Sequence, residues 1–238
     1  MICANGICRY FRQPDGTLFK ALEEVNLEIK DGELAVLAGE NGSGKSLLMK
    51  ILAGLEKPTR GSVQADSMGL VFQDADAQIL ADTPLEDVLF GLRNRKDLSK
   101  AQKKEIAVDS LNKVGLQDFI DSPSHMLSGG QKRRLAVASI LALGRKTMVF
   151  DEPYSNLDYP GVKSVNAIIK ELKDSGYTVL ILTHELEKCL ALADRFIVLH
   201  KGKVTYDGSP AQALGLDLES WGIRNPAPGG KPDDLVWL

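Results

Sequence analysis

The chain has 238 residues, 44% apolar and 26% charged, with a formal net charge of −3 at pH 7. That length can bury a sizeable core in one α/β domain, and the charge balance leaves no basic footprint for binding nucleic acid. Cys3, Cys8 and Cys189 lack metal-ligand spacing and suit a reducing cytosol, no apolar run reaches membrane-spanning length, and Met1 to Gly6 carries no basic-then-apolar leader pattern.

Taken in order, Ile7 to Phe11 reads as a strand, a turn follows at Pro14-Asp15-Gly16, and Val25-Asn26-Leu27-Glu28-Ile29 alternates apolar and polar as a second strand. Lys30-Asp31-Gly32-Glu33 turns the chain into Leu34-Ala35-Val36-Leu37-Ala38, a short apolar run of buried-strand type. A glycine-rich loop, residues 39–46, comes next, and Leu47 to Leu52 reads as a buried helix ending before Pro58-Thr59-Arg60-Gly61. Gly69-Leu70-Val71-Phe72 is another buried strand, closed by Gln73.

From Asp82 to Leu143 the character is helical. Ser99 and Gln102 have the spacing of a capping box, opening a Lys/Glu-rich helix to about Val114, and Leu127-Ser128-Gly129-Gly130-Gln131 opens a second, Ala/Leu-rich helix. Strands resume at Met148-Val149-Phe150, Thr178 to Leu182 and Phe196 to Leu199. Between the first two, Val162, Val165, Ile168, Ile169 and Leu172 trace one helical face, ended by Gly176. Strands alternating with helices predict an α/β fold with a mostly parallel sheet. The expected organisation is a P-loop core over 1–81 and 144–220 with an N-terminal antiparallel β part, an inserted helical subdomain over 82–143, and a tail over 221–238. Asn225-Pro226-Ala227-Pro228-Gly229-Gly230-Lys231-Pro232 excludes regular structure, and Leu235-Val236-Trp237-Leu238 is apolar, so the tail is either loose or docked on a surface groove.

Three stretches carry chemistry. Gly39-Glu40-Asn41-Gly42-Ser43-Gly44-Lys45-Ser46 fits the P-loop pattern, in which backbone amides and a helix N-terminus cradle phosphates. Lys45 can reach the β- and γ-phosphates, the Ser46 hydroxyl can hold Mg²⁺, and Leu47 continues into the helix. Thr147 to Glu152 is an apolar strand ending in two acids; beside a P-loop, Asp151 suits Mg²⁺ and Glu152 suits activation of the attacking water. In Leu127–Gln131, an N-capping serine and two glycines leave bare amides at a helix start, a second anion-type site that nothing local requires.

On these residues the chain resembles the nucleotide-binding subunit of an ABC transporter over roughly residues 1 to 212, with all the motifs in family order. Gly39–Ser46 matches Walker A, Gln73 the Q-loop, Leu127–Gln131 the signature, Met148–Glu152 Walker B, Ser155-Asn156-Leu157-Asp158 the D-loop and His184 the switch histidine. The resemblance implies one ABC ATPase domain over 1–220 that binds ATP and Mg²⁺. Tyr10 would stack on adenine, with Phe11 as the alternate. Gln73 would touch the Mg²⁺ shell, and His184 would hydrogen-bond the γ-phosphate and Glu152. Ser128, Gly129, Gly130, Gln131 and Asp158 would meet ATP held by a second ATPase subunit, identical or related.

The stretch Gly69 to Leu80, followed by Leu85 to Gly91, is similar to ATPases of energy-coupling factor importers for cobalt, nickel or vitamins. This implies a transmembrane coupling subunit and a substrate-binding membrane protein as partners, and a peripheral place on the cytoplasmic face of the cell membrane. Two departures stand out: the long C-terminal extension of many members is replaced by a short Pro/Gly tail, and Tyr154 replaces a threonine after the Walker B proline. Only 54 residues separate Gln73 from Ser128, too few for the coiled-coil insertion of chromosome-maintenance ATPases. Each motif occurs once, unlike the paired cassettes of ribosome-acting relatives. An iron–sulfur assembly ATPase remains the soluble alternative.

Overall fold

The computed structural model describes residues 1–227, 230–235 and 237, apart from the Asp234 side chain. Pro228, Gly229, Val236 and Leu238, part of the expected tail, lie outside the described residues.

Two sheets share one core. β1 (Ile2–Arg12), β2 (Leu18–Ile29) and β4 (Arg60–Ala65) form an antiparallel sheet in the order β2-β1-β4. The second sheet runs β5 (Gly69–Val71), β6 (Thr147–Asp151), β7 (Thr178–Leu182), β3 (Leu34–Ala38), β8 (Arg195–His200) and β9 (Lys203–Gly208). Its first five strands are parallel and β9 pairs antiparallel with β8. β3, β6 and β7 are buried at every position, so they read as continuous apolar runs rather than alternating ones. Leu34, Val36 and Ala38 face the larger core cluster, while Ala35 and Leu37 face the cluster shared with the N-terminal sheet.

Helices α1 (Lys45–Leu52), α2 (Pro84–Gly91), α3 (Lys100–Lys113), α4 (Gly129–Ala142), α5 (Tyr159–Asp174) and α6 (Pro210–Ala213) complete the fold. α2, α3 and α4 pack on one another, and α4 also meets α5. α3 and α4 each open on a reciprocal capping box. Ser99 Oγ accepts from the Gln102 amide while Gln102 Oε1 accepts from the Ser99 amide, and Ser128 and Gln131 repeat the arrangement. α5 buries the stripe Val162, Val165, Ile168, Ile169 and Leu172, as its period predicts.

The topology decides where chemistry gathers. β3, β7 and β6 are parallel neighbours, so their carboxyl ends deliver the loop at 39–46, His184, and the Asp151/Glu152 pair to one sheet edge. At the opposite extreme of the sequence, Leu235 is buried against the core and its carbonyl accepts from the Ala191 amide.

Candidate functional site

The loop between β3 and α1 is shaped by positions that exclude a side chain. Gly44 caps α1 at φ 104°, where a Cβ would lie 3.1 Å from the Ala21 carbonyl and 2.8 Å from Leu22 Cδ2. At Gly39 a Cβ would meet Ser43 Oγ at 2.6 Å. Lys45 folds back over this loop. Its Nζ donates to Gly39 O (2.6 Å) and Glu40 O (3.3 Å) and lies 3.8 Å from Glu152 Oε1. Burial pushes the Lys45 ammonium below its usual range, against the pull of Glu152 and Asp151. A cation held this way in a desolvated loop gains from an incoming anion.

Across the cleft, His184 Nδ1 sits 3.1 Å from Glu152 Oε1, which ties the ends of β7 and β6 together. Glu152 itself is held at φ 46°, a left-handed backbone that costs a non-glycine residue about 1–3 kcal/mol. Its Oε2 is buried with no hydrogen-bond partner among the described residues. Ser46 Oγ donates to Asp151 Oδ1 over 3.3 Å. Burial raises the Asp151 carboxyl above the ordinary carboxylate range, with the Ser46 hydrogen bond opposing it.

These groups border a cavity of about 490 Å³, within the usual range for small-molecule sites. Glu40, Asn41, Gly42, Gly44, Lys45, Ser46, Leu47, Gln73, Glu152 and His184 line it. Gly39 and Ser43 lie in the loop beneath, with Ser43 Oγ buried and unpartnered. Gln73 also donates to Ser155 Oγ (3.4 Å), linking the cleft to the turn before α5.

The structure does not bring Tyr10 to this cavity. Phe11 and Phe19 line it instead, the latter from β2 and unforeseen. Adjacent strand residues point to opposite faces, so the ring beside Phe11 is turned away; the Lys20 ammonium lies 5.9 Å from its centroid. The sequence signal for Phe19 was weak, since Leu18-Phe19 is an exposed apolar pair next to a turn.

Ser128, Gly129, Gly130 and Gln131 are likewise absent from the cleft. They line a separate cavity of about 520 Å³ with Asn156 and Asp158. Asp158 spends one carboxylate oxygen on capping α5, accepting from the Gly161 amide at 2.9 Å. The described residues therefore form two separate cavities, one at the loop of 39–46 and one at the start of α4.

Two networks behind the cleft escaped the motif reading. Arg133, on α4, is buried and donates to three carbonyls on two loops beside the site, the one after β5 and the one after β6. Tyr154 Oη donates to Asn166 Oδ1 (2.8 Å), and Asn166 Nδ2 donates to Lys188 O (2.6 Å) and Trp237 O (3.1 Å). The Tyr154 substitution thus has a consequence: it joins the turn after β6 to α5, to the segment after His184 and to the tail.

The donor set fits Mg²⁺. Ser46 and Asp151 present hard oxygens side by side, and no cluster of three metal-ligating side chains occurs among the described residues. Mg²⁺ needs only one or two such protein oxygens when phosphates and water fill its shell.

A P-loop motif between a parallel strand and a helix, with two acids and a histidine at neighbouring strand ends and a Ser-Gly-Gly-Gln helix start in a second cavity, is the arrangement of an ATP-binding cassette. The family model for ABC transporters matches residues 22–155, and the chain belongs to that family as an ATP-hydrolysing subunit. It is 38% identical over 215 residues to the energy-coupling factor transporter ATP-binding protein EcfA of Methanosphaera stadtmanae, covering 84% of this chain and 76% of that one. Among solved structures it is similar to cbiO1 from Clostridium perfringens, part of the ABC transporter complex cbiONQ, with TM-score 0.81, 31% identity and 90% of each chain covered. It is also similar to the dimeric post-hydrolysis cassette MJ0796 bound to ADP and Pi, with TM-score 0.78, 28% identity, and 88% of this chain and 99% of that one covered.

Proposed function

We propose that this subunit powers import through separate membrane proteins of the energy-coupling factor type, with cobalt, nickel or a vitamin as the cargo class. One observation carries the catalytic part of this reading: Glu152 Oε2 is a buried, unpartnered acceptor beside the phosphate loop, on a carboxylate already oriented by His184. The ATP phosphates take the loop of 39–46, and Lys45 exchanges its two carbonyls for β- and γ-phosphate oxygens. Phe11 and Phe19 cover the base. Glu152 orients a water in line with the γ-phosphate and accepts its proton as the oxygen–phosphorus bond forms and the bond to ADP breaks. His184 keeps the carboxylate in position. Ser46, Asp151 and Gln73 would hold Mg²⁺, which would supply charge neutralisation at the phosphates.

A second ATPase subunit supplies the missing wall. Its Ser128–Gln131 segment and Asp158 meet the γ-phosphate side of this chain's cleft, and the reverse holds for the partner. The domain division at 81/82, 143/144 and 220/221 belongs to the same proposal, with the helical part moving against the P-loop core. No described helix is long and apolar enough to cross a membrane; in this proposal the membrane partners supply the spanning helices. Leu80 and Phe90, 67% and 40% exposed on the segment after Gln73, suit docking to a transmembrane coupling subunit on the cytoplasmic face. The direct test is Glu152→Gln assayed for Mg·ATP turnover and for ATP binding. Turnover should be lost and binding kept. Wild-type turnover would remove Glu152 from its role.

A further inference from the structure

Arg133 is a charge where a solvated face would be expected. It sits in the run Lys132-Arg133-Arg134 after the two helix-opening glycines, yet it is 5% exposed. Its two basic neighbours behave differently. Lys132 reaches Asp76 at 2.6 Å on the segment after Gln73. Arg134 donates to Val114 O and Gly115 O, and so caps the end of α3 within the helical part itself.

Arg133 instead crosses from α4 into the P-loop core. Nη1 donates to Phe72 O (3.3 Å), the residue before Gln73, and to Glu152 O (3.5 Å); Nη2 donates to Ser155 O (3.3 Å). No carboxylate pairs with it among the described residues, and its Nε is buried without a partner. A buried cation satisfied only by carbonyls gives weak support to stability, because its desolvation is poorly repaid. A rigid planar fork is suited to fixing the relative positions of several acceptors. The turn after β6 that it joins is strained at Glu152, held at φ 46°. The Glu152 carbonyl accepts from the Ser155 amide (3.2 Å) as well as from Arg133, which closes the turn that aims the Glu152 carboxylate.

We propose that Arg133 is a positioning residue: from the helical segment it clasps the carbonyls of Phe72, Glu152 and Ser155, and so makes the aim of the Glu152 carboxylate depend on where α4 sits. The inference rests on the reading of Glu152 as the group that activates water. Its consequence is that movement of α4 is transmitted to the hydrolytic water through one guanidinium rather than through nucleotide affinity.

The test uses the full chain with Arg133→Met, which fills similar space without donors, Arg133→Lys, which restores one cationic donor, and Lys104→Met, at an exposed basic residue of α3, as the control. Each is measured for steady-state Mg·ATP turnover and ATP affinity, and Arg133→Met is repeated in the Glu152→Gln background. Misplacing the carboxylate by about 1 Å should lower kcat for Arg133→Met by roughly 100-fold, with the Kd for ATP unchanged. Arg133→Lys should recover part of that loss and Lys104→Met should keep kcat. In Glu152→Gln the Arg133→Met change should lower turnover no further, because both act on one step. The proposal is overturned by wild-type kcat in Arg133→Met, by an equal loss in Lys104→Met, or by an undiminished further loss in the Glu152→Gln background. If Arg133→Met does not fold, Arg133→Lys decides alone: a kcat equal to wild type overturns the proposal, and a lowered kcat at unchanged Kd sustains it. Normal turnover in Glu152→Gln by itself would instead remove the reading of Glu152 and leave the Arg133 contacts a separate matter.

Discussion

Removing the Asn166 side chain should unseat the region behind the switch histidine. Asn166 is fully buried, accepts from Tyr154 Oη at 2.8 Å, and donates to Lys188 O at 2.6 Å and Trp237 O at 3.1 Å. Asn166→Ala removes the partner of the Tyr154 hydroxyl, of the buried Lys188 carbonyl and of the part-buried Trp237 carbonyl, and the hydroxyl and the buried carbonyl each cost about 1–3 kcal/mol. The pair together costs roughly 2–6 kcal/mol. For a chain of this size each kcal/mol lowers Tm by about 2–4 °C, so the transition should fall by at least ~4 °C. Tyr154→Phe strands only Asn166 Oδ1 and should cost about 1–3 kcal/mol. The double variant should cost less than the sum, because both singles break the same hydrogen bond. Thermal and urea unfolding followed by circular dichroism read all three. An Asn166→Ala Tm equal to wild type, or strict additivity of the pair, would refute the reasoning.

Two further outcomes are expected. Phe11→Ala should weaken ATP binding by about 1–3 kcal/mol while Tyr10→Ala leaves it unchanged, checked by titration of a fluorescent ATP analogue; the reverse pattern would return the base to Tyr10. Asp151→Asn should abolish turnover yet raise Tm at pH 7. Burial raises the Asp151 carboxyl in the folded state, so its contribution to stability is fully present below the unfolded value near 4 and is lost as pH rises through the folded value. The stability advantage of Asp151→Asn should therefore shrink on acidification towards about pH 4, and an advantage that grows there would contradict the burial argument.

How much of this could be read from the chain follows from what each element buries. β3, β6 and β7 announce themselves because both faces are covered, and α5 because one face is. β4 went unseen because five of its six residues are exposed and the sixth only half-buried, which leaves no alternation to detect. β9, an edge strand, does alternate, but only between exposed and half-buried residues. The phosphate loop, the acids after β6 and His184 were legible because their chemistry is confined to a few adjacent residues at strand ends. Arg133 and Asn166 were not, because their partners are 61 and 71 residues away at the farthest, and nothing local distinguishes a basic residue on a solvated helix from one that crosses into the core. At the N-terminal strands, alternation puts Phe11, the alternate ring of the resemblance, rather than Tyr10 against the cleft.

The central claim is that each cleft is completed by the signature face of a second ATPase subunit. Glu152→Gln, measured by light scattering during size exclusion in saturating Mg·ATP, tests it most directly. A mass of twice 25.9 kDa with ATP, reverting to one chain with ADP, is the predicted result. A single-chain mass in ATP under conditions where the nucleotide is demonstrably bound would contradict it.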